Sequence, residues 1–279
     1  LVDVKVLLVV VLIALVIVIL NYTLPVGIGE NINNLIATFG SGSYPIDLSG
    51  NEVLNSESKN GYYYILTDTH IAAYNNSGSE IYNIQHGFSR PVLKSSQTRA
   101  LVFDQGGNDL NVYNLKDKVN SYKTNSQILT AAISSDGIYA VALTSNEYTS
   151  VMEVYDRNDN LLYKWNSAKD IINNIAISSS GKKIAVSTVS GVSGNLVSKV
   201  YVLEYDSADS KYSCEIGGSG VMALEDCGDG FCAVYSDGFS YFEWKNYSKS
   251  DYKTDFIVDK FRKCDDGCII VSKKSVTCK

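Results

Sequence analysis

The chain has 279 residues, 45% of them hydrophobic, which is ample for a sizeable core. Its 24 Lys+Arg against 30 Asp+Glu give a net charge of −6, which repels phosphate backbones and argues against a nucleic-acid partner. There are 20 Tyr against 8 Phe and 2 Trp, which suits half-buried strand positions, and with only 3 Pro the turns fall to Asn, Asp, Ser and Gly.

In chain order, the first predicted element is an apolar run from Val6 to Leu20. Extended back over Lys5, Val4 and Val2 it approaches the length a bilayer needs, and Lys5 can snorkel to the headgroups. No small-x-small cleavage site follows, since the next residues are Asn21-Tyr22-Thr23-Leu24-Pro25. Residues 1–20 are therefore expected to form one uncleaved transmembrane helix. Lys5 precedes the run and no basic residue follows until Lys59, which places the N-terminus in the cytoplasm and the rest outside. The first residue is Leu1, so the chain reads as a piece of a longer protein.

Residues 21–43 are rich in Gly, Asn, Ser and Ile and read as a linker spacing the domain off the membrane, with a short helix near Asn31–Phe39. Beyond it, strand-like runs recur between turn signals, an all-β signature.

These runs repeat. One strand type recurs as Tyr63–Leu66, Ala100–Phe103, Tyr139–Ala142, Ile184–Ser187, Cys232–Tyr235 and Cys268–Val271. Its preceding turn is marked by Gly61, Thr98, Gly137, Gly181, Gly230 and Gly267, spaced by 37 to 49 residues. A second strand type ends in an aromatic and a polar turn: Tyr74-Asn75, Tyr113-Asn114, Tyr155-Asp156, Tyr205-Asp206 and Trp244-Lys245-Asn246. Two marks in one register, with four strand runs per unit, predict a β-propeller of four-stranded blades over residues 44–279, the rival architectures being a β-sandwich or an open solenoid. In the third unit the strands are predicted at Ile128–Ser134, Ile138–Thr144, Val151–Tyr155 and Leu161–Trp165. About five and a half blades fit, and one to three more are expected to follow, because an open ring exposes a long edge.

From Gly42 to Tyr212 the chain resembles the domain of unknown function 5711 family. The residues carrying the likeness are Gly42–Ile46, Ile81–Leu93 with its His86-Gly87-Phe88-Ser89-Arg90-Pro91 stretch, Arg99–Gly107 and Val154–Asp156. The resemblance implies a single-pass membrane protein of anaerobic Gram-positive bacteria with a propeller-like ectodomain and no established activity.

All six cysteines lie in the last third. Cys227 with Cys232, and Cys264 with Cys268, flank equivalent turns in consecutive units. They are candidate hairpin disulfides, and an even count outside the membrane favours that reading. The alternatives are thiols or a zinc site, whose usual two-residue spacing they do not keep. His86 and Arg90 flank a turn between the first two blades and are candidate ligand contacts, although His86 as a turn cap and Arg90 in solvent is the plainer reading. Asp156–Asn160 starts like a calcium loop, but Leu161 stands where the turn glycine belongs and Ser167 where the closing Glu belongs. There is no nucleophile elbow, phosphate loop or His-rich metal cluster, so no catalytic residue, metal or cofactor is expected. The expectation is a surface-anchored, non-enzymatic propeller binding a protein or cell-envelope polymer, with contacts near Val189–Leu196 and Asn246–Lys253. The rivals are a hydrolase or lyase with acidic residues at the channel, and a structural role in envelope assembly.

Overall fold

The structure, a computed structural model, describes residues 4–24, 26–48, 50–59, 61–207, 209–216, 220–264, 267–272 and 276–278. It begins with helix α1 (Val4–Thr23) and helix α2 (Gly27–Ala37). The side chains of α1 are described without a break from Lys5 to Asn21, and among the described residues no helix is long and apolar enough to cross a membrane. The expected transmembrane span over 1–20 therefore gains no support from the described helix, residues 1–3 lying outside it. What α1 presents is an apolar surface on every side, each large side chain from Val6 to Leu20 being 41–64% exposed.

Five four-stranded antiparallel sheets follow. The first contains β1 (Val53–Lys59), β2 (Tyr62–Thr67), β3 (His70–Asn75) and β4 (Glu80–Gln85). The second contains β5 (Pro91–Ser95), β6 (Ala100–Asp104), β7 (Asp109–Tyr113) and β8 (Lys118–Lys123). The third contains β9 (Ile128–Ile133), β10 (Tyr139–Thr144), β11 (Ser150–Tyr155) and β12 (Leu161–Ser167), each predicted strand lying within two residues of its place. The fourth contains β13 (Ile171–Ile177), β14 (Lys183–Val192), β15 (Asn195–Glu204) and β16 (Tyr212–Ile216). The fifth contains β17 (Ala223–Asp226), β18 (Gly230–Tyr235), β19 (Gly238–Glu243) and β20 (Lys249–Lys253). A sixth, three-stranded sheet contains β21 (Lys260–Cys264), β22 (Gly267–Val271) and β23 (Val276–Cys278).

Each sheet is a blade. The first strands β1, β5, β9, β13 and β17 pack side by side about the axis. Cores form between successive blades, which explains why second strands are apolar on both faces. Along β6, Ala100 and Val102 join the core with the first blade, while Leu101 and Phe103 join the core with the third. Along β10, Tyr139 and Val141 point back and Ala140 and Ala142 point forward.

Antiparallel order puts the first-to-second and third-to-fourth strand turns on one end of the ring, here the turn face. The second-to-third turns and the connections between blades lie on the opposite end, the rim face. The predicted marks all fall at first-to-second turns. Gly61, Gly137 and Gly181 have φ of 89°, 80° and 73°, a region that favours glycine. In the second blade Thr98 replaces it and donates its hydroxyl to the Ser135 carbonyl at 2.7 Å. The third-to-fourth turns are built by Asx bonding: Asn75 accepts from the Ser77 and Ser79 amides, Asn114 from those of Lys116 and Asp117, and Asp156 from those of Asn158 and Asn160.

The segment 21–43 does not space the blades away from α1. Helix α2 lies on the turn face across the first three blades. Glu30 pairs with Arg99, Asn34 accepts from the Leu115 amide at 3.4 Å, and Ala37 packs on the core of blades one and two. The chain stays docked after the helix: Ser77 donates to the Gly40 carbonyl, and Tyr44 to that of Asn76. Gly42 presses against Gly78 and Ser79 so closely that a Cβ there would meet the Ser79 amide nitrogen at 2.2 Å.

Candidate functional site

Two surfaces surround the axis. At the turn-face end a cavity of about 490 Å³ is bounded by the ends of the first strands. Lys59 and Lys94 come from blades one and two, Ser134 and Ser179 from three and four, and Glu225 and Asp226 from five. Glu57 beside it accepts bonds from the amide and hydroxyl of Ser95. Asp226 accepts from Trp244 Nε1 at 2.8 Å and from the Ser179 hydroxyl at 3.2 Å. Glu225 and Asp226 are consecutive on one strand, so they leave it on opposite faces and do not form a facing acid–base pair. The lining includes no histidine or cysteine. Among the described residues no group of three His, Cys, Asp or Glu side chains is placed to hold a metal.

The rim face is apolar around the same axis. Leu54, Ile171, Met222 and Ile257, at or just before the upstream ends of the first strands, are 45%, 47%, 49% and 72% exposed. The fourth blade adds Val192 and Leu196, 53% and 51% exposed. The stretch Val189–Leu196 is not a loop: β14 and β15 pair out to Val192↔Asn195 and make a hairpin that stands above its neighbours. The Leu196 side chain returns to within 3.4 Å of where a Cβ on Gly220 would lie, beside the start of the fifth blade. Asn173 and Asn174 both donate to the Val221 carbonyl, at 2.8 and 2.9 Å, and tie blades four and five beneath this surface. The other expected loop, Asn246–Lys253, is largely strand β20, the exposed outer strand of its blade. Its polar sequence reads as a turn because an outer strand needs only ladder bonds, not burial.

His86 and Arg90 lie in the connection between the first two blades, on the rim face. Both His86 ring nitrogens are engaged: Nε2 with the Thr67 carbonyl at 3.1 Å and Nδ1 accepting from the Phe88 amide at 3.0 Å. Burial pushes the imidazole below its ordinary pKa of 6.5, the Thr67 bond acting in the opposite sense. Arg90 is exposed, with its guanidinium lying over Gly106, whose missing side chain leaves that space. Neither residue lines the axial cavity. At Asp156, burial pushes the carboxyl up, but the bonds from Asn160 and Asn158 outweigh it and hold the group below the usual range. Cys227 and Cys232 come together across the β17–β18 turn, their sulfurs 3.3 Å apart. The side chains of Cys264 and Cys268, the second predicted pair, lie outside the described residues.

Residues 42–254 match a sequence family described as a family of unknown function, DUF5711. The match begins just after α2. No curated protein matches. Among solved structures, the chain is similar to the Pan2 WD40 domain of Neurospora crassa, 14% identical with a TM-score of 0.58, over 81% of this chain and 74% of that one. It is also similar to a chain of the mitotic checkpoint complex, 10% identical with a TM-score of 0.62, over 83% of this chain and 78% of that one. These likenesses concern the fold: the blades resemble those of WD40 propellers.

Proposed function

The chain belongs to the family of unknown function DUF5711, and we propose that it is a non-enzymatic binding propeller whose partner is a protein docking on the rim face. The observation carrying this reading is the set of exposed aliphatic side chains around the axis, Leu54, Ile171, Leu196, Met222 and Ile257. Exposed apolar side chains gathered on one face are what a protein interface buries. A polysaccharide of the envelope would call instead for exposed aromatic faces. Among the described residues the exposed large side chains on this rim are mostly aliphatic, with Tyr148 and Tyr252 as aromatic members. Charged residues of both signs flank the patch, among them Glu52, Glu147, Asp255 and Asp259 with Lys169, Lys253 and Lys260, as in the polar rim of a protein interface.

An enzymatic reading finds less support, because Asp226 at the axial cavity is held by the Trp244 indole and the Ser179 hydroxyl. We further propose that α1 enters a bilayer. A helix apolar on every side has no polar stripe to turn to water, and among the described elements it packs chiefly against α2. Lys5 then marks the cytoplasmic side, with the blades outside. Protease added to intact cells should remove the blades; protection until lysis would contradict that orientation. The binding role is tested by capturing the intact protein from its native membrane, with a Met222→Asp variant as comparison. A partner retained by the first and lost by the second supports the reading, and equal capture by both refutes it.

A further inference from the structure

Helix α2 is amphipathic, but it is mounted the wrong way round for a globular protein. At 100° per residue, Ile32, Leu35, Ile36 and Phe39 fall within about 100° of arc. They are 51%, 59%, 60% and 72% exposed. Phe39 extends the stripe beyond the helix, its amide bonding the Ile36 carbonyl at 3.0 Å. Glu30, Asn34 and Ala37, centred about 170° away on the same wheel, are the residues that grip the blades. A surface helix ordinarily buries its apolar stripe on the core and turns its polar side to water. Here the polar side is held against the propeller and the apolar side is presented outward.

We propose that this outward stripe lies in the headgroup–acyl boundary of a lipid bilayer, so that α2 seats the turn face flat on the membrane. The inference rests on the reading that α1 enters the bilayer. Two features favour lipid as the occupant. The stripe follows closely in the chain on the all-round apolar surface of α1, whose last residue, Thr23, is four residues before Gly27, and α1 packs against α2. The stripe is also the right width for shallow insertion, which buries one helix face by about 5–10 Å. Its attraction is apolar: the polar side of α2 carries Glu30, Asn31, Asn33 and Asn34 without a basic residue, and the basic residues of the turn face, among them Lys116, Lys118, Arg157 and Lys182, stand among Asp117, Asp136 and Asp159. Neutral lipid should therefore suffice. The consequence is orientation: the turn face and its axial cavity look toward the membrane, and the apolar rim is held away from it.

The test uses the full chain in phosphatidylcholine vesicles, with Leu35→Trp as reporter and Leu196→Trp as the rim control. Both positions are exposed, so neither substitution disturbs a core. The expected result is that the protein floats with vesicles, and that Leu35→Trp emission shifts to the blue and is lost in lipid brominated near the headgroups, while Leu196→Trp emission is unchanged. Adding anionic lipid should not alter this. If the protein floats but Leu35→Trp stays water-exposed and unquenched, α1 is inserted and the proposal for α2 is wrong. If the protein does not float, the anchoring reading and this proposal both fall. A blue shift that needs no lipid and rises with protein concentration would show a second copy covering the stripe, and would also overturn the proposal.

Discussion

Glu30 and Arg99 form a two-bond ion pair, Nε to Oε1 and NH2 to Oε2 both at 2.7 Å, with side chains only 13% and 6% exposed. The third guanidinium nitrogen donates to the Arg157 carbonyl at 3.1 Å. One arginine thereby joins α2, the second blade and the third blade. Burial of this charge is tolerable because its donors are used in fixed geometry.

Removing the acid should release the helix. Breaking a buried pair by deleting one partner typically costs about 3–5 kcal/mol. Glu30→Ala can instead lift α2 and let water reach Arg99, which caps the loss at the docking free energy. The expected outcome is faster amide exchange over residues 27–40 with the melting of the blades little changed. Glu30→Leu with Arg99→Met, which replaces the pair by apolar groups, should restore much of the protection. Unchanged exchange in Glu30→Ala would mean that the pair does not hold the helix.

His86 should make the first inter-blade connection acid-sensitive. Its folded pKa lies below the unfolded value of 6.5, so the unfolded state binds more protons between the two values. The stabilisation is present above pH 6.5 and is lost as pH falls through the lowered folded value. Protonation of Nδ1 also removes the acceptor for the Phe88 amide. Amide exchange at residues 86–90 should rise below that pH in the native protein and lose this dependence in His86→Gln. A pH-independent profile in the native protein would contradict the assignment.

Cys227 and Cys232 should be recovered as a linked pair after mild oxidation, since their sulfurs need to close from 3.3 Å to about 2.05 Å. So short a loop can add only about 2 kcal/mol on chain-entropy grounds. Unreduced peptide mapping should recover that pair, and reduction should leave the fold intact, because the first three blades contain no cysteine. Linkage of Cys227 to Cys264 would refute the pairing.

Much of the fold was legible because blade physics repeats. The glycine and Asx marks sit where local turns demand them, and second strands read as apolar on both faces because each lies between two cores. The docked helix was not legible. Its stripe Ile32–Leu35–Ile36–Phe39 reads like any core-facing pattern, and only the Glu30–Arg99 pair, 69 residues apart, reveals that it faces outward. The rim was hidden for a similar reason. Leu54, Ile171, Met222 and Ile257 are isolated apolar residues in four different units, and only the packing of blade on blade puts them on one face. Asn246–Lys253 was misread because an exposed outer strand carries no apolar alternation.

The rim is where binding and stability should separate. Ile171→Asp or Met222→Asp alters an exposed side chain, so stability should move by less than about 0.5 kcal/mol. Loss of an interface centre should weaken partner binding by about tenfold or more. Equal thermal melts with unequal affinity are the expected signature; loss of melting temperature alongside binding would make these residues structural.

The most direct test of the central claim places a photo-crosslinking amino acid in the intact, membrane-held protein, at Met222 and Leu196 on the rim and at Leu162 on the exposed outer strand β12. Binding at the rim predicts that Met222 and Leu196 each crosslink to the same protein while Leu162 does not. Crosslinking of that protein at Leu162, with none from either rim position, would contradict it.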